Sequence, residues 1–252
     1  DAGHGPPIVL VHGSWDDRHV WALVEDDLAK SFRVVSYDRR GHTDSEEPRE
    51  PGTRRDDEDD LAALIEALGL APANLVGNSF GGSITLGLAE RRPELVRSVC
   101  AHEPPLLALA GDDPVVTELI EGLDAVVSLI DGGNTEAGAR LFVEMVMGPG
   151  AWDDMSPEEQ GAMIRNARTF SGELRDSDGF TIDLDALANF PSSILLTGGD
   201  QSAPFFGTII TRLVEAVKSA RVKTLPEAGH VPHLTHPDMW VAAVTEFVSG
   251  VK

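Results

Sequence analysis

Gly77-Asn78-Ser79-Phe80-Gly81-Gly82 constrains this chain more than any other stretch. An apolar run, Asn74 to Val76, leads into it, and a helix-like segment, Ser83 to Arg92, leaves it and stops at Pro93. A serine between two such elements sits at the apex of a sharp turn, with its hydroxyl raised above the edge of a sheet. Glycines at 77 and 81 fit, because side chains there would strike the neighbouring strand and helix. Ser79 is therefore the candidate nucleophile. Taken alone, the pentapeptide equally describes a glycine-rich helix start with a capping serine, so the rest of the chain has to decide.

The chain before and after this turn alternates between strand and helix patterns. Ile8-Val9-Leu10-Val11 and Val96 to Ala101 are unbroken apolar runs, as expected of strands buried on both faces of a parallel sheet. Arg33 to Tyr37, Ser193 to Thr197 and Arg221 to Leu225 read as further strands. Helices are expected over Arg18 to Lys30, Asp56 to Gly69, Phe205 to Ser219 and His236 to Val251. The alternation predicts an α/β fold, a mostly parallel central sheet flanked by helices. It breaks from about Leu106 to Phe190, where only helical periodicity is found, near 114–130, 135–147 and 157–170. The expected organisation is a core of 1–104 and 191–252 carrying a helical insertion, 105–190.

Composition narrows the function classes. The 252 residues hold 20 basic and 42 acidic side chains, a net charge of −22. That balance argues against nucleic acid or an anionic membrane as partner. Residues 105–190 account for 17 acidic and 4 basic residues, a net of −13, which would disfavour anionic substrates if the charge faces the site. One cysteine, Cys100, excludes an internal disulfide and fits a reducing, cytoplasmic setting. No stretch approaches the roughly 20 apolar residues of a membrane span. The abrupt start at Asp1, close to the first strand, predicts that further residues precede it in the full protein. Oligomeric state is left open.

A serine hydroxyl needs a base, and a histidine base needs a group that fixes its tautomer. In a parallel sheet the C-terminal ends of the strands share one edge. Asp200 follows the strand ending at Thr197, and Glu227-Ala228-Gly229-His230 follows the strand ending at Leu225. Ser79, Asp200 and His230 would therefore converge, in the chain order Ser, Asp, His. Backbone donors for an oxyanion are expected from the N–H of Phe80, at a helix start, and of Ser14, with Trp15 as the second choice. His233 and His236 could suggest metal, but Pro232 and Pro237 interrupt any regular spacing, so no metal is expected.

These segments resemble the α/β-hydrolase superfamily, specifically its members with a helical cap. The resemblance is carried by Val9 to Trp15, Tyr37-Asp38-Arg39-Arg40-Gly41-His42, Gly77 to Gly82, Leu196-Thr197-Gly198-Gly199-Asp200 and Ala228-Gly229-His230-Val231-Pro232-His233. It implies hydrolysis of a small or medium, mostly apolar ester, lactone or thioester through an acyl-enzyme, without a cofactor. Ser79 would be nucleophile, His230 base, Asp200 its orienter, and 105–190 the cap. Glu103 also follows a strand and is the alternative acid, since the triad of this fold accepts Asp or Glu. A serine at 79 argues against the dehalogenase and epoxide hydrolase branches, which attack with a carboxylate. Carbon-carbon bond hydrolysis, cofactor-free perhydrolysis and a slow-turnover ligand receptor are the rival functions of the same scaffold.

Overall fold

The computed structural model describes residues 1–48 and 52–251; the middle of the Pro-, Glu- and Arg-rich loop, 49–51, and residue 252 lie outside it. Six strands, β1 (Pro7–Val11), β2 (Arg33–Ser36), β3 (Ala73–Asn78), β4 (Val96–His102), β5 (Ser193–Gly199) and β6 (Ala220–Leu225), form one parallel sheet in the order β2-β1-β3-β4-β5-β6. This is the α/β-hydrolase fold. The order reverses direction at β1, whose neighbours are β2 on one side and β3 on the other. A crevice opens at such a reversal, beyond the carboxyl ends of the strands.

Alternation along the strands explains their apolar runs. Val9, Val11, Leu75, Val99, Ile194 and Leu196 pack on one side, against α2 (Arg54–Ala67), α3 (Phe80–Arg91) and, later in the chain, α9 (Pro204–Ala216). Ile8, Leu10, Val34, Val76, Cys100 and Leu195 pack on the other, against α1 (Glu25–Ala29) and α11 (Pro237–Gly250). Both faces are covered, so neither can carry a polar alternate row. Cys100 is buried in this second layer and its thiol is pushed up to about 12 by burial, which makes it inert.

Between β4 and β5 lie α4 (Pro114–Asp131), α5 (Thr135–Met147), α6 (Ala151–Asp154), α7 (Pro157–Arg175) and α8 (Leu184–Leu187). Leu123, Val126 and Ile130 of α4, Val143 of α5, Trp152 of α6 and Phe170 of α7 form a third apolar cluster. Trp15, from the loop after β1, is fully buried in it and stacks on Phe142 at 4.9 Å and against Phe170 at 5.1 Å. The helical segment thus grips the loop that follows the first strand.

Local signals set most helix starts. Thr53 caps α2 through a reciprocal bond with Asp56, and Ser156 does the same for α7 with Glu159. The single helix expected over Arg18 to Lys30 is instead a 3-10 turn, Arg18–Trp21, followed by the five residues of α1. Trp21 accounts for the break, since its ring stacks on Trp240 of α11 at 5.4 Å and on His233 at 4.6 Å. Tertiary packing there outweighs helical periodicity. The closing helix expected over His236 to Val251 is α11, preceded by a one-turn α10 (Pro232–Thr235).

Candidate active site

Ser79 occupies the turn between β3 and α3 with φ 53° and ψ −127°, outside the ordinary regions for a residue with a side chain. Close packing on both sides enforces this turn. A Cβ on Gly77 would lie 2.4 Å from Gly81 O, and one on Gly81 would lie 2.1 Å from Val11 O. The Ser79 N–H donates to His102 O at 2.9 Å, tying the turn to the end of β4. The side chain is half-buried, and among the described residues its hydroxyl has no hydrogen-bond partner.

The adjacent strand brings a carboxylate to His230. Asn78 pairs with His102 across β3 and β4, so Ser79 and Glu103 are the next residues at the same height on neighbouring strands. Both have positive φ, 53° and 44°. Glu103 is fully buried; its Oε1 accepts the Gly199 N–H at 2.8 Å and its Oε2 accepts His230 Nδ1–H at 2.7 Å. Burial opposes ionisation of Glu103, but the bond from His230 and the nearby His102 and His230 rings outweigh it and hold the carboxyl below its usual range. With Nδ1 donating to Glu103, the neutral imidazole presents Nε2 as a proton acceptor. Phe206 stacks on the His230 ring at 4.9 Å.

Asp200 does not take the place expected of it beside His230. It is exposed, and its Oδ1 accepts the Glu227 N–H at 2.8 Å and the Gln201 amide at 3.0 Å, closing the turn that precedes His230. The physical reason lies in strand position. β5 is two strands from β3, and Asp200 stands beyond the end of β5, where its carboxylate meets the loop after β6. Glu103 lies next to the nucleophile strand, on the longer side chain. His102 steadies the same loop: Thr197 Oγ1 lies 2.9 Å from its Nδ1 and Gly229 O 3.3 Å from its Nε2.

Two backbone N–H groups lie close to Ser79. The Phe80 N–H heads α3, where the first amides of a helix have no intrahelical partner. The Ser14 N–H has no hydrogen-bond partner among the described residues, and it follows Gly13, whose Cβ position lies 3.1 Å from Ser79 Cβ. They are the two groups that the sequence names as candidate oxyanion donors. His236 caps no metal cluster: among the described residues no group of three or more His, Cys, Asp or Glu side chains could hold an ion.

A match to the model of the alpha/beta hydrolase family runs over residues 8–244. The chain belongs to the alpha/beta hydrolase family. It is 31% identical to a 2-hydroxymuconate semialdehyde hydrolase of Pseudomonas sp. (strain CF600), over 99% of this chain and 89% of that one. It is 27% identical to a pimeloyl-[acyl-carrier protein] methyl ester esterase of Chromobacterium violaceum, over 97% and 94%. The crystal structure of an alpha/beta hydrolase from Sphaerobacter thermophilus superposes with a TM-score of 0.77 at 25% identity, covering 98% and 94% of the two chains. The chain is thus an enzyme of the hydrolase class.

Sequence reasoning missed four residues around this hydrolase site. Arg39 is 1% exposed and donates to Gly13 O, Asp57 and Glu173. Glu173 and Asn166, both on α7, reach the Ser14 to Asp16 loop. Asp16 places Oδ2 within 3.3 Å of the Gly13 Cβ position, on the side of Ser79. Arg39 was visible only as a charge directly after a strand, and Glu173 and Asn166 carry no sequence signal, being polar residues of a surface-patterned helix. A cavity of about 490 Å³ lies among Arg39, His42, Arg165, Arg168 and Glu173, and neither Ser79 nor His230 lines it.

Proposed function

We propose that the chain is a serine esterase that cleaves small to medium, mostly apolar carboxylic esters, with Ser79 as nucleophile, His230 as base and Glu103 as the group that orients His230. The bond from His230 Nδ1 to Glu103 Oε2 carries this reading, because it fixes the tautomer that a base for Ser79 requires. His230 Nε2 takes the Ser79 proton as Oγ attacks the carbonyl carbon. The oxyanion rests on the Phe80 and Ser14 N–H groups, and the protonated His230 then releases its proton to the leaving alkoxide. Water, deprotonated by His230, cleaves the acyl-enzyme and restores Ser79. Residues 105–190 serve as the cap over the acyl pocket, and Phe206, stacked on His230, supplies apolar wall. The methyl ester esterase among the relatives supports ester cleavage.

The test is labelling with a fluorescent fluorophosphonate, followed by turnover of p-nitrophenyl esters of increasing chain length. Labelling of the wild type but not of Ser79→Ala, with multiple turnover on short esters, is expected. A folded protein that resists the probe, or equal labelling of Ser79→Ala, would overturn the assignment; one turnover ending in a trapped adduct would favour a receptor.

A further inference from the structure

The peptide group between Gly13 and Ser14 is held at its carbonyl by two side chains. Its carbonyl, Gly13 O, lies 2.9 Å from His12 Nδ1 and accepts a bond from Arg39 Nη1 at 3.0 Å. The tautomer of His12 is fixed, because its Nε2 accepts the Arg39 N–H at 3.0 Å and Nδ1 must then carry the proton to Gly13 O. Burial, seconded by the Arg39 charge, pushes the His12 pKa down to about 3, so this arrangement persists at neutral pH. Two donors on a carbonyl polarise the whole amide and make the N–H at its other end a stronger donor. That N–H belongs to Ser14.

The same arginine reaches the second donor residue and the helical segment. Its guanidinium carbon lies 5.0 Å from the centre of the Phe80 ring. Its Nη2 bonds to Asp57 Oδ2 and to Glu173 Oε1, each at 2.7 Å. The other oxygen of Glu173 accepts the Ser14 hydroxyl. One carboxylate, 3% exposed on α7, therefore holds both the side chain of Ser14 and the arginine that fixes the Gly13 carbonyl. Seven residues earlier on the same helix face, Asn166 Nδ2 donates to Trp15 O and Asp16 O at 3.0 Å each.

We propose that Glu173, acting through Ser14 and Arg39, is a positioning residue for the oxyanion peptide, so that transition-state stabilisation is set from helix α7. This rests on the reading of Ser79 as nucleophile. Donors to an oxyanion help only when they already point at the charge as it develops, and a displaced donor typically costs on the order of 100-fold in rate. An amide at 173 would turn its oxygen to Arg39 and its NH2 to Ser14, losing the charge-assisted bond and rotating the Ser14 side chain.

The experiment is a cycle of Glu173→Gln, Ser14→Ala and the double variant, each measured for kcat and KM on a p-nitrophenyl ester, for inhibition by an aryl boronic acid, and for fluorophosphonate labelling. Glu173→Gln should lower kcat about 10- to 100-fold with KM within about twofold, and weaken the boronic acid in parallel. Ser14→Ala should lower kcat several-fold, and the double variant should be no worse than Glu173→Gln alone, because one linkage is broken twice. Unchanged kcat in Glu173→Gln, or losses that multiply in the double variant, would overturn the proposal. Should Glu173→Gln fail to fold, Ser14→Ala decides: normal kcat and normal boronic acid affinity there would overturn it too. Loss of labelling in the wild type would instead strike the Ser79 assignment.

Discussion

Glu103 and His230 meet at 2.7 Å, from the ends of β4 and of the loop after β6, and the carboxylate is completely buried while the imidazole is 18% exposed. Among the described residues, the next titratable partner of Glu103 is His102, 3.7 Å away. Glu103→Gln would offer its oxygen to the Gly199 N–H and its NH2 to His230, forcing the wrong tautomer. A fall in kcat on the order of 10³- to 10⁴-fold is expected, while Asp200→Asn, which keeps the Oδ1 that accepts the Glu227 N–H, should stay within about threefold. Steady-state kinetics of the two variants check this; the reverse ranking would return the acid role to Asp200.

Gly81 meets two backbone carbonyls, with Val11 O at 2.1 Å and His12 O at 2.5 Å from the position of an added Cβ. Neither can rotate away as a side chain would. Gly81→Ala should cost about 3 kcal/mol or more, on the order of 10 °C in Tm for a chain of this length. Thermal unfolding followed by circular dichroism measures it, and Gly207→Ala, where nothing lies within 4 Å, is the control.

Four buried histidines, His12, His42, His102 and His233, make the fold sensitive to acid, His42 too being pushed well below its usual value by burial. His12 and His233 are pushed down to about 3 and His102 to about 4, in each case chiefly by burial. In the unfolded chain they titrate near 6.5. Between these values the unfolded state binds more protons, so their contribution is complete above about pH 6.5 and is lost as pH falls, each on the order of 1 kcal/mol per pH unit. Chemical denaturation at pH 7.5, 6 and 5 should show a falling midpoint; His233→Phe, which removes an imidazole with no hydrogen-bond partner among the described residues, should flatten the slope.

Asp16 carries the opposite sense. Burial and the neighbouring Asp17 carboxylate push it up to about 7, against the attraction of His230 and Arg39, with Glu173 adding to the rise. The folded state therefore binds the extra proton, and ionising Asp16 destabilises the fold as pH rises from about 4 to 7. Its charge in the folded protein appears only as pH passes about 7, at the Gly13 turn that packs on Ser79. The ratio of kcat/KM for a neutral ester over a matched carboxylated ester should rise through about pH 7 in the wild type and stay level in Asp16→Asn. Parallel profiles in both proteins would remove Asp16 from substrate selection.

Much of the site was legible because local chemistry fixes it. The apolar runs of β1 and β4, the glycines flanking Ser79 and the Gly-His pair at 229 and 230 each follow from what one strand end and one turn require, whatever surrounds them. Helical periodicity located α4, α5 and α7 for the same reason. The break at Trp21 was not legible, since it depends on Trp240, more than 200 residues away.

The choice between two carboxylates divides sequence from structure most clearly. The sequence by itself determined that a serine, a histidine and an acid stand after parallel strands, since composition, turn glycines and strand order are local or serial properties. It ranked Asp200 above Glu103, although both follow strands of the same sheet and nothing local separates them. Only the tertiary structure shows which carboxylate His230 meets, through the order β3-β4-β5, which puts Glu103 level with Ser79 and turns Asp200 to the Glu227 amide. The link from Glu173 to Ser14, across 159 residues, belongs wholly to that second kind of information, because a side chain's partner across the fold is set by packing.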